Sequence, residues 1–144
     1  MPNIEGVLLT PKKIVGDERG KVMQVLRADE PCFLKFGEAY ISAIFPNVVK
    51  GWKLHTLSTS NMVVPVGEVQ FLMHDTREGS VTKGKYENVT IGESNYQLLT
   101  IPPGVVYAWR NTQEQTAFVL NCATELWSPN ESSNLSLDTY PCEW

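Results

Sequence analysis

Gln97-Leu98-Leu99-Thr100-Ile101-Pro102-Pro103-Gly104-Val105-Val106-Tyr107-Ala108-Trp109-Arg110 is the stretch on which the reading of this chain turns. Two apolar runs, Gln97–Ile101 and Val105–Arg110, flank a Pro-Pro-Gly break. Both runs are rich in branched and aromatic side chains and have the length of a strand rather than a helix. Glycine after proline marks a tight turn, because glycine alone enters positive φ without steric cost. The same pattern repeats outward. Lys21–Arg27 alternates apolar and polar residues, and Tyr40–Phe45, Met62–Val66, Glu68–His74, Tyr86–Ile91 and Thr116–Cys122 read as further strands. Gly16-Asp17, Pro46-Asn47, Gly79-Ser80 and Gly92–Asn95 supply the breaks. Many short strands separated by turn residues predict an all-β antiparallel sandwich or small barrel. A helix of one or two turns is expected around Glu30–Gly37. The aromatic ending, Tyr140 to Trp144, predicts a tail packed back onto the body.

Composition narrows the function. The 144 residues are 42% hydrophobic and 19% charged, which suits one globular domain over residues 1–144. Uncharged apolar stretches such as Tyr40–Val49 fall short of the roughly 20 residues that span a bilayer. The N-terminal MPNIEGVLLTPKK has no basic region before its apolar run and does not read as a signal peptide. The net charge is −4, and no Lys/Arg cluster is present to track a phosphate backbone. Neither nucleic acid nor membrane is an expected partner. Cys32, Cys122 and Cys142 are odd in number and form no CxxC, which points to free thiols in a reducing cytoplasm.

Only two histidines can carry imidazole chemistry. His74 alternates with Phe71 and Met73 and reads as a strand residue. His55 closes Lys50-Gly51-Trp52-Lys53-Leu54-His55 and precedes a polar Thr/Ser stretch. It is the better candidate for a functional imidazole.

Pro102-Pro103-Gly104-Val105-Val106-Tyr107-Ala108-Trp109-Arg110-Asn111 resembles the second motif of the cupin superfamily, P-x-G-x-x-H-x-x-x-N, with Tyr107 in the place of the histidine. The first cupin motif survives in part, with Lys53-Leu54-His55 for H-x-H, Ser60 or Asn61 for the glutamate, and Gly67 as the closing glycine. One imidazole of four potential ligands cannot hold a divalent ion. The resemblance therefore implies a cupin-like jelly roll with no metal and no cofactor. More specifically, the chain is similar to the dTDP-4-dehydrorhamnose 3,5-epimerase family. Gly16-Asp17-Glu18-Arg19-Gly20 resembles its F-x-D-x-R-G, and Val49–His55 falls where it has R-G-L-H. Asp75-Thr76-Arg77-Glu78-Gly79-Ser80 resembles D-x-R-x-x-S, and Ile101-Pro102-Pro103-Gly104 resembles I-P-x-G.

That family inverts carbons beside a ketone. A base removes a proton to form an enolate, and an acid returns one on the opposite face. The resemblance implies a nucleotide-sugar substrate, a homodimer and an isomerase activity in polysaccharide or deoxysugar synthesis. It makes His55 the base and Arg19 a ligand of the nucleotide diphosphate, with Gln24 near the nucleotide. Asn121 stands where the family has its tyrosine acid. Tyr107 and Tyr40 are candidates to replace it. Lys53 is a candidate to stabilise the enolate or pair with phosphate. Trp52, with Trp109, is a candidate stacking wall. The aspartate that orients the family's histidine comes from a C-terminal segment with no counterpart recognised here. A 3,4-ketoisomerase using His55 and Tyr40, and a binding module without catalysis, stay open as alternatives.

Overall fold

The computed structural model describes residues 2–144. In chain order the strands are β1 (Leu8–Pro11), β2 (Ile14–Asp17), β3 (Gly20–Met23), β4 (Glu38–Ile44), β5 (Val49–His55), β6 (Ser60–Val66), β7 (Glu68–Asp75), β8 (Tyr86–Gly92), β9 (Gln97–Ile101), β10 (Val105–Arg110), β11 (Ala117–Ala123) and β12 (Ser132–Asn134). One sheet has the order β1-β9-β6-β11-β4 and the other β12-β5-β10-β7-β8, all antiparallel. Strands β2 and β3 form a separate hairpin. The all-β jelly-roll expectation holds. No helix is long and apolar enough to cross a membrane among the described residues.

Period-two alternation sorts the side chains. Along β7, Val69, Phe71 and Met73 enter the core between the sheets, while Leu72 joins a second cluster on the outer face. On β10, Val105 and Tyr107 face inward, and Val106 and Ala108 outward. Ile44, Met62, Val64, Leu99, Ile101 and Val119 complete the core from the opposite sheet.

Each sheet also has a covered outer face. Met23, Val25, Leu26 and Cys32 pack over Val63 and Leu98 of the first sheet. The segment from Leu135 to Trp144 packs over Trp52, Leu72, Val106 and Ala108 of the second.

Two local expectations are corrected, and one strand is added. Residues 30–37 form a short turn followed by irregular chain instead of a helix, because the Glu30 carboxylate takes the Arg27 amide and the Lys12 ammonium (2.8 and 2.6 Å) and fixes an irregular path. The predicted strand over Lys21–Arg27 stops at Met23, where Val25 and Leu26 turn inward to cover the sheet. Strand β5, which carries His55, adds a strand over Val49–His55 to those expected, and Trp52-Lys53-Leu54-His55 alternates apolar and polar residues along it.

Candidate active site

Strand β5 sets the geometry. Gly51 adopts φ 153°, and a Cβ there would overlap the Ala108 methyl, so only glycine lets β5 approach β10 this closely. Tyr107 pairs with Lys53 in register, which puts both side chains on the inner face. His55, two residues on, shares that face. The imidazole stacks beside Tyr107, with ring centroids 6.5 Å apart and planes inclined by 19°.

His55 is buried and has a carboxylate partner that the sequence reading did not find. Its Nδ1 lies 2.8 Å from Glu131 Oε1. Both side chains are almost fully enclosed, at 7% and 4% exposure. Glu131 Oε2 accepts from the amides of Leu57 (3.3 Å) and Ser58 (3.1 Å). Burial pushes the Glu131 pKa up, but the His55 hydrogen bond and charge, with the two amides, outweigh it and hold the carboxyl below its ordinary value. An anionic Glu131 on Nδ1 makes that nitrogen the donor. It leaves His55 Nε2, which has no hydrogen-bond partner among the described residues, as the basic atom. Glu131 thus takes the orienting place for which the sequence offered no recognised counterpart of the family's aspartate. Glu131 is the one acid between Glu125 and Asp138, the only sequence signal it offers.

A pocket of about 400 Å³ opens beside this pair, bordered by Tyr40, Ser42, Lys50, Lys53, Tyr107 and Trp109 among others. His55 is next to Tyr107 behind that lining. Lys53 Nζ is 3.2 Å from Asn134 Oδ1. Partial burial lowers the Lys53 pKa, and the Glu131 charge opposes the shift. Burial raises the Tyr107 phenol above its usual range, and Tyr40 and Glu131 add to the rise. Tyr40 rises too, again from burial first, against a hydrogen bond from Asn121.

The other candidates lie elsewhere. Trp52 borders the pocket, but its ring is not a stacking wall. Adjacent strand residues point to opposite faces, so with Lys53 inward the indole faces out, fully buried under the tail. Its Nε1 donates to the Leu137 carbonyl, and Tyr140 packs edge-on at 5.7 Å. Asn121 is buried and does not line the pocket. It donates to Tyr40 Oη at 3.0 Å. Arg19 sits on the β2–β3 hairpin, exposed and paired with Asp17 at 2.6 Å. Gln24 follows that hairpin, its carbonyl accepting from the Tyr96 hydroxyl at 2.8 Å. Neither borders the pocket within one chain. Among the described residues, no three His, Cys, Asp or Glu side chains are grouped so as to hold a metal ion.

The family defined as dTDP-4-dehydrorhamnose 3,5-epimerase matches residues 2–142. The chain belongs to this family. It is 31% identical over 128 residues to the spore coat polysaccharide biosynthesis protein SpsL of Bacillus subtilis, covering 89% of this chain and 85% of that one. It is 30% identical over 129 residues to the probable low-salt glycan biosynthesis epimerase Agl13 of Haloferax volcanii, covering 88% and 83%. A dTDP sugar isomerase from Desulfovibrio desulfuricans superposes with a TM-score of 0.91 at 39% identity, covering 94% of this chain and 87% of that one. The dTDP-4-dehydrorhamnose 3,5-epimerase of Sulfolobus tokodaii shares the fold, with a TM-score of 0.86 at 22% identity over 99% and 84%. Membership in the epimerase family bears out the expected isomerase class and the sugar-nucleotide epimerase reading.

Proposed function

We propose that this epimerase-family protein inverts a carbon beside the ketone of a nucleotide-linked 4-keto-6-deoxy sugar, in the synthesis of a polysaccharide or glycan. The buried His55–Glu131 pair beside the pocket carries this reading. The ketone acidifies its neighbouring C–H bonds, and His55 Nε2 takes the proton. The electron pair moves into the carbonyl to give an enolate, and Glu131 stabilises the imidazolium. The Lys53 ammonium supplies the charge that an enolate oxygen or a diphosphate needs. The relatives' names support the substrate class: one is a dTDP sugar isomerase and another a glycan biosynthesis epimerase.

The working form is a homodimer in the cytoplasm. Val15 and Val22 of the hairpin, Ile41 on β4 and Phe45 after it stay exposed at 64–69%, which favours a second copy of the chain as their cover. Arg19 and Gln24 then meet substrate in the partner's pocket. Three free cysteines suit a reducing compartment.

The test is solvent-deuterium incorporation. In D2O, wild-type protein should place deuterium at C3 or C5 of a dTDP- or GDP-linked 4-keto-6-deoxy hexose, and His55→Ala should slow this by about 10²–10⁴-fold. No incorporation with any such sugar would refute the reading. A 3,4-ketoisomerase would instead yield a 3-keto sugar, which NMR separates.

A further inference from the structure

Inversion requires an acid on the face of the substrate opposite the base. His55 and Tyr107 lie on neighbouring strands of one sheet, with their rings nearly parallel, so Tyr107 stands on the base's side. Tyr40 projects from β4, an edge strand of the other sheet, and borders the pocket that Tyr107 also lines.

The hydrogen bonds around Tyr40 also have a fixed direction. The Asn61 backbone amide can only donate, and it points at Asn121 Oδ1 (3.0 Å), which settles which end of the Asn121 amide is oxygen. The other end, Nδ2, can only donate, and it lies 3.0 Å from Tyr40 Oη. Tyr40 oxygen is therefore the acceptor in that contact, and its own proton is not engaged there. Among the described residues, the Tyr40 hydroxyl has no hydrogen bond other than the one it accepts. Asn121 and Tyr40 are direct cross-strand partners, so the β4–β11 ladder itself sets this geometry.

We infer that Tyr40 is the proton donor of this site, acting on the substrate face opposite His55, an inference that rests on the epimerase reading above. The C–H bond breaks to His55 Nε2 and its electron pair becomes the enolate. A new C–H bond then forms on the other face with the Tyr40 proton. The resulting phenolate is held by the Asn121 amide until solvent returns a proton and His55 releases its own. Asn121 is thus a positioning residue for Tyr40.

Tyr40→Phe separates the two half-reactions. In D2O with dTDP- and GDP-linked 4-keto-6-deoxy hexoses, NMR reads inverted product and also deuterium in substrate that has kept its configuration. Tyr40→Phe should lose inversion by about 100-fold or more while exchange into uninverted substrate persists within about tenfold of wild type. His55→Ala should lose both, and Tyr107→Phe should keep the wild-type ratio of exchange to inversion. Three results would overturn the assignment: near-wild-type inversion by Tyr40→Phe, parallel loss of exchange and inversion in that variant, or the split appearing in Tyr107→Phe instead. A wild-type protein that neither exchanges nor inverts any of these sugars fails the epimerase reading itself. That outcome is seen before any variant is compared.

Discussion

The chemistry of His55 rests on a carboxylate 76 residues away in sequence. An imidazole alone can rotate and change tautomer; Glu131 removes both freedoms by holding Nδ1–H. Replacing Glu131 by Gln should therefore lower kcat by at least about tenfold and change KM much less, because orientation of the base matters most in the transition state. The same substitution has a pH signature in stability. The Glu131 carboxyl is held below its unfolded value, so its contribution is present above the ordinary glutamate range and fades as the pH falls through the folded-state value. The melting-temperature gap between wild type and Glu131→Gln should be full at neutral pH and close on acidification. A gap that widens in acid would contradict this. His55 and Tyr107 could be found in the sequence because short motifs mark them. Glu131 could not, since it sits in a polar Ser/Asn stretch that reads as surface.

At the scale of elements, the C-terminal segment joins two tasks. Strand β12 pairs with β5 and brings Glu131 beside His55 and Asn134 beside Lys53. Its continuation extends that pairing by one residue and then covers the outer face of the sheet. The Trp52 amide and carbonyl bond Leu135 at 2.8 Å each, and Arg110 lies 4.6 Å over the Trp144 ring. Tyr140 contacts both Trp52 and His74. Deleting residues 136–144 should expose Trp52 and Leu72, lower the melting temperature and raise hydrogen exchange in 131–135 and β5. Activity should fall further than that of a Trp144→Ala variant, which removes one anchor only. An unchanged exchange rate at 131–135 would show that β12 is held by its ladder alone. Here the aromatic ending foretold the packing. That Trp52 is its seat did not emerge from the sequence, because the facing of a strand residue depends on a register that no single strand contains.

At the scale of the molecule, the β2–β3 hairpin and the edge strand β4 leave apolar surface that one chain does not cover. Sedimentation should give a mass of twice 16.2 kDa. Ile41→Glu, with a charge set in that surface, should shift the protein towards monomer while its far-UV spectrum stays β-like. A wild-type protein that sediments as a monomer would remove the proposed route for Arg19 to reach a site. The sequence by itself determined the all-β class, most of the strands and the family, since period-two alternation and turn residues are local physics and the ordered motifs survive in the chain. Only the tertiary structure decided what meets His55. The partnership with Glu131, the inward turn of Lys53 against the outward turn of Trp52, and the Tyr40–Asn121 contact across β4 and β11 all depend on ladder register between segments distant in sequence. Register is a property of the assembled sheets, and no local pattern encodes it.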